Sequence, residues 1–130
     1  MLKRLEGRVP SLSFTPKLRV FSPDSARVVT TGGNRARIFS AIDGALLTTL
    51  RGHTASAWCA EFSPDGARVV TASSDRTARV WDAATGATLM TLRGHTARVF
   101  CCAFSPDGAR VVTGSLGGTA WVWDVRASQR

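Results

Sequence analysis

The chain repeats itself. Residues 50–91 read LRGHTASAWCAEFSPDGARVVTASSDRTARVWDAATGATLMT, and from Leu92 the text resumes as LRGHTARVFCCAFSPDGARVVTGSLGGTAWVWD. His53 recurs as His95, Phe62 as Phe104, Asp65 as Asp107 and Trp81 as Trp123, each 42 residues on. A fixed period of this size restricts the fold to an array of one supersecondary unit stacked on its neighbours. Within each unit, short runs rich in valine, threonine and aromatic residues alternate with turn signals about every ten residues, which predicts all-β structure. Function is then to be sought on a repeated surface.

In the best unit the strands are expected near 56–62, 67–72, 77–82 and 87–92. Ser63–Gly66 and Ser105–Gly108 read Ser-Pro-Asp-Gly, where proline sets φ and glycine accepts a positive φ, as a type I turn requires. At Ser22–Ser25 a serine replaces that glycine and strains the turn. The first unit is also degenerate at its start, where Pro10 and Pro16 cannot donate to a central ladder. Residues 2–7 align with 89–94, so the chain opens on what reads as the last strand of a preceding unit. After Asp124 only six residues remain, which leaves the third unit three strands of its own.

Gly-His at 52–53 and 94–95, Phe-Ser-Pro-Asp-Gly at 62–66 and 104–108, and Trp-Asp at 81–82 and 123–124 together resemble the WD40 repeat family. The resemblance covers residues 2–125. It implies β-propeller blades, about three four-stranded antiparallel sheets in an incomplete ring. The whole is expected to form one partial propeller domain over 1–130, with units near 2–49, 50–91 and 92–125. In that family the sequence repeat is offset from the blade, so the strand before Gly-His closes the preceding blade.

The resemblance also implies a buried hydrogen-bonded tetrad. In the middle unit it maps to His53, Asp75, Trp81 and a hydroxyl from Thr71 or Ser73. In the third unit His95, Trp123 and Thr113 or Ser115 remain, but Gly117 stands at the aspartate position. In the first unit Asn34 takes the aspartate role only if the turn is one residue short, Phe39 replaces tryptophan, and histidine is missing. The expected order of blade stability is therefore middle, third, first. A Ser–His–Asp set also invites a nucleophile reading, but recurrence in each blade and the bonded tryptophan favour a structural role.

By the same resemblance, partner contacts map to Ser56, Trp58 and Ser74 in the middle blade and to Arg98, Phe100 and Leu116 in the third. Aromatic and arginine side chains on one face suit a binding hot spot. The competing reading places Trp58 and Phe100 as filler between blades.

A net charge of +8 admits nucleic acid, an acidic protein or an anionic surface as partner. Fifteen of the 17 basic residues are arginine, spread along the repeats with Arg27, Arg68 and Arg110 at equivalent positions, which favours an evenly basic solvated surface. No phosphate loop, zinc-ligand spacing or catalytic constellation stands out, so the expectation is no enzyme, no cofactor and no metal. With no apolar run near the roughly 18 residues a span requires and no secretory signal, the chain reads as cytoplasmic and off the membrane. Cys59, Cys101 and Cys102 are then reduced, small buried fillers.

The function expected is a non-enzymatic protein-interaction scaffold. The alternatives are a basic surface for nucleic acid or another polyanion, and a regulatory propeller segment of a larger multidomain enzyme. A propeller ring needs about four to eight blades, so three leave a closure problem. A piece of a longer propeller, an open arc on a partner, or a head-to-tail homo-oligomer in which Leu2–Leu5 of one chain completes the next would each answer it.

Overall fold

The computed structural model describes the backbone of residues 2–4 together with residues 20–116 and 118–126. They form eleven strands: β1 (Leu2–Arg4), β2 (Arg27–Gly32), β3 (Arg35–Ser40), β4 (Leu46–Leu50), β5 (Ala57–Phe62), β6 (Arg68–Ser73), β7 (Ala78–Asp82), β8 (Thr88–Leu92), β9 (Val99–Phe104), β10 (Arg110–Ser115) and β11 (Ala120–Asp124). There is no helix among the described residues, hence none long and apolar enough to cross a membrane. Three antiparallel sheets result, in the orders β2-β3-β4, β5-β6-β7-β8 and β1-β11-β10-β9.

The two outer sheets differ from the strand count expected of them. Among the described residues, the segment before β2 contributes a single bridge, Phe21 to Val28, and the first sheet has three strands. The opening strand, read as part of a preceding unit or of a neighbouring chain, pairs instead with β11 of its own chain. Leu2 lies opposite Trp123 and Arg4 opposite Trp121, so the edge expected to stand open on the third blade is capped. An exposed row of amide and carbonyl groups is a liability, and the nearest extended segment of the same chain removes it. Pro10 and Pro16 lie outside the described residues.

Strand alternation explains how the sheets stack. Successive side chains of a strand point to opposite faces, and in the middle blade both faces are apolar. Ala60, Phe62, Val69 and Trp81 join Val29, Ile38 and Leu50 of the first blade in one core. Their immediate neighbours Cys59, Val70 and Val80 join Val99, Phe104, Val111 and Trp123 of the third blade in another. Phe62, Val69, Val70 and Trp81 are fully buried, which at about 1.5–3 kcal/mol per large side chain makes the two interfaces the main source of stability.

Each Ser-Pro-Asp-Gly turn is bonded twice to itself. Ser63 Oγ donates to Asp65 Oδ1 at 2.6 Å, and the Gly66 amide donates to the Ser63 carbonyl at 2.9 Å. The Ser63 hydroxyl then accepts from the Arg68 amide at 3.0 Å, where β6 begins. These bonds hold the Asp65 carboxyl below its ordinary range.

Polar clasps reinforce the apolar interfaces. Arg27 Nη2 reaches the Gly66 carbonyl of the next blade at 2.8 Å and lies 5.0 Å over the Phe62 ring. Arg68 repeats this one blade on, donating to the Gly108 and Val125 carbonyls 5.2 Å from the Phe104 ring. Glu61, 3% exposed, accepts from the Phe104 amide at 2.7 Å. The arginines expected on an evenly solvated surface are thus, at these two positions, part of the blade contacts.

The weak copy of the turn generates a prediction. Ser25 carries φ 61° where Gly66 has 76° and Gly108 has 74°. A side chain in this left-handed region costs about 1 kcal/mol. Ser25→Gly is expected to raise unfolding free energy by about that amount in urea titration.

Candidate functional site

The polar hub of the middle blade is built on β6, β7 and two turns. Trp81 Nε1 donates to Thr71 Oγ1 at 2.8 Å, and the same hydroxyl lies 2.7 Å from His53 Nε2. An ionised carboxylate can only accept, so Asp75 beside Nδ1 places the proton of the neutral imidazole there, and Nε2 accepts from the Thr71 hydroxyl. That N–H points at Asp75 Oδ2, 2.8 Å away. Asp75 accepts further from the Thr54 amide at 3.1 Å, the Thr77 amide at 2.9 Å and the Thr77 hydroxyl at 2.6 Å. Of the two candidate hydroxyls, Thr71 occupies the hub. Ser73 instead donates to the Ala55 carbonyl at 3.0 Å and accepts from the Asp75 amide at 3.0 Å. Gly52 stands beside the hub with φ 154°, and a Cβ there would meet Arg79 Nη1 at 2.3 Å.

The third blade makes half of this network. Trp123 donates to Thr113 Oγ1 at 2.8 Å, and Thr113 lies 2.7 Å from His95 Nε2. Ser115 turns away, donating to the Thr119 carbonyl at 3.4 Å. His95 Nδ1 is buried and has no hydrogen-bond partner among the described residues. Gly117 lies outside the described residues. Where Arg79 lies 5.6 Å over Trp81, the third blade has Trp121 stacked 5.5 Å from Trp123, with His95 at its edge. Asn34, Phe39 and their blade contain no such network among the described residues.

Burial pushes both imidazoles below their ordinary 6.5. His53 is partly compensated by Asp75, and for His95 nothing offsets the burial. No group of three or more histidine, cysteine, aspartate or glutamate side chains that could hold a metal occurs among the described residues. Cys59 and Cys102 are buried, with sulfurs 3.0 Å apart across the blade interface, and Cys101 is half-buried; all three are free thiols.

Above the hub is a rim. Pairing of β5 with β6 slips between Ala57 and Cys59, so Trp58 falls in a bulge, and Phe100 occupies the matching bulge in β9. Bulges re-aim side chains. Trp58 is 56% exposed and its indole donates to Ser74 Oγ at 2.5 Å, whereas Phe100 is half-buried. The Ser74 amide bonds the Ser56 carbonyl at 2.9 Å, and the Leu116 amide bonds the Arg98 carbonyl at 3.0 Å. Between the two blades lies a cleft of about 430 Å³ lined by Ser74, Arg76, Thr96, Ala97, Arg98 and Leu116. Ser74, Arg98 and Leu116 therefore share one cleft with Trp58 at its side, while Ser56 and Phe100 do not line it. Trp58 is not filler between the blades.

Arg76 was missed by the sequence reading. It carries φ 74°, and its repeat equivalent is Gly118 with φ 82°. The hidden signal was an arginine where the turn calls for glycine. Hub and rim are one device, because Asp75 pins the turn that presents Ser74 and Arg76.

Two outcomes follow. Thr71→Val strands the Trp81 indole and leaves His53 Nε2 without its donor, so unfolding free energy should fall by about 2–4 kcal/mol in urea titration. The second concerns pH. Folded imidazoles titrate below the unfolded value, so the unfolded chain binds more protons as pH drops through 6.5. The denaturation midpoint should hold steady above that pH and decline below it, before the carboxylates contribute.

The comparisons with known proteins agree with this architecture. The family described as "WD domain, G-beta repeat" matches residues 44–82 and 86–124. Similar proteins include the Intraflagellar transport protein 122 homologs of Danio rerio and Mus musculus, 32% and 33% identical over 57 residues. The Homo sapiens homolog is 32% identical over the same length. In each case the match covers 44% of this chain and 5% of the relative, so the chain spans a small part of the curated relatives it matches. With two family matches that together span more than half of the chain and fall on its antiparallel sheets, the chain belongs to the WD40 repeat family.

Proposed function

We propose that the chain is a non-enzymatic protein-interaction scaffold, working as one partial propeller domain with units near 2–49, 50–91 and 92–125. The observation that carries this is the cleft between the second and third blades. It is lined by an exposed leucine, Leu116, 53% accessible, and two exposed arginines, Arg76 and Arg98, and the exposed indole of Trp58 stands at its side on Ser74. A large rigid aromatic, an apolar side chain and arginines at one spot are the composition of an interface hot spot.

The electrostatics favour one kind of partner. Asp75, the nearest carboxylate in sequence to Arg76, is occupied by His53 and Thr77. The cleft therefore suits a protein segment carrying a carboxylate next to an apolar residue. A polyanion such as nucleic acid fits less well, since Arg27 and Arg68 direct guanidinium donors at carbonyls of the neighbouring blade instead of at solvent. The chain would do this in the cytoplasm, with its thiols reduced.

Selection of a displayed random peptide library on the chain tests the reading. Acidic, leucine- or aromatic-containing peptides should be enriched. Trp58→Ala and Leu116→Ala should each weaken them by about tenfold or more, and Arg98→Ala should make binding less salt-sensitive. Enrichment of peptides indifferent to all three substitutions would place binding elsewhere. Steep salt dependence with single-stranded DNA competing at equal affinity would favour the polyanion reading.

A further inference from the structure

The clasps between blades form a series that stops one step early. Arg27 reaches over Phe62 to the Gly66 carbonyl, and Arg68 reaches over Phe104 to the Gly108 carbonyl. Arg110 holds the same position in the third blade, is exposed, and has no blade beyond it among the described residues. It borders a shallow depression of about 190 Å³ that includes Phe104, Val111, Val112 and Val122. Val112 is 37% exposed, although its equivalent Val70 is fully buried by the third blade.

The other end of the array shows the complementary gap. Phe21 opens the first Phe-Ser-Pro-Asp turn and is 54% exposed, whereas its equivalent Phe62 is at 0%. Val28 and Phe39 beside it are half-buried, whereas Val69 and Trp81, at the same positions of the middle blade, are both at 0%. One face thus presents an arginine and valines, and the other a phenylalanine beside a turn. Those are the two halves of the contact that the chain makes internally twice. β1 covers the edge of the third sheet, while Arg110 and Val112 of that sheet remain exposed.

We propose that the uncovered face of the third blade docks the first blade of a second copy of this chain, head to tail. Arg110 of one copy lies over Phe21 of the other and donates to its Ser25 carbonyl. A heterologous contact of this kind forms a ring when its rotation closes. Two chains of three blades give six, within the usual range of about four to eight. The contact is weaker than the internal ones, because Ala103 stands where Glu61 accepts from the Phe104 amide. Reversible association is therefore expected. The rim cleft is not used, so the inference stands apart from the proposed function.

Light scattering of the full chain between about 1 and 200 µM, a range that brackets weak association, tests it. The expected result is a rise from 13.9 kDa toward twice that mass. Phe21→Ala and Arg110→Glu both alter exposed side chains, so each should keep the β-sheet circular dichroism while raising the half-association concentration at least about tenfold. A single-chain mass at every concentration, species larger than two chains, or a mass indifferent to both substitutions overturns the proposal.

Discussion

A sheet that is apolar on both faces is stable only between two others. That constraint governs everything else in this chain. In the middle blade Val69 and Val70, adjacent in one strand, belong to different cores and are both fully buried. Water cannot be kept from both faces by one neighbour, so the blade requires a partner on each side. The outer blades satisfy the requirement on one face, and on their remaining faces Phe21 and Val112 are exposed where Phe62 and Val70 are buried.

Polar chemistry refines this packing. The Thr71 hydroxyl sits where an indole and an imidazole converge, and the Asp75 carboxylate at Nδ1 fixes the tautomer of His53 and hence the direction of its bond to Thr71. A satisfied buried network specifies one arrangement, whereas a half-satisfied one leaves a cost in place. The third blade shows that cost in the buried His95 Nδ1. Stacking of Trp121 on Trp123 provides the aromatic contact there that Arg79 provides in the middle blade.

The rim inherits its shape from the hub. Asp75 ties the His53 turn to the turn that carries Ser74 and Arg76, and the bulge at Trp58 turns the indole onto Ser74. On the middle-blade side this surface is held by the bonds beneath it. Rigidity lowers the ordering cost of binding, which is what a scaffold needs.

The repeat period, the strand limits within a residue or so, and the Ser-Pro-Asp-Gly turns were all legible in the sequence, because each rests on local chemistry: alternation, fixed φ and side chain-to-backbone bonds. The hub residues were legible only through family resemblance, and the choice of Thr71 over Ser73 was not. Both hydroxyls lie on one strand, and only the position of Trp81 across the pairing separates them. Arg76 escaped notice because its signal shows only when its turn is set against the equivalent one, where Gly118 takes the same positive φ. What the tertiary structure alone decided are the relations between distant segments. β1 caps its own third blade, Arg27 and Arg68 leave solvent for the next blade, and Trp58 faces outward. Each depends on which surfaces meet after the chain has folded, and residues tens of positions apart carry no local signal of that meeting.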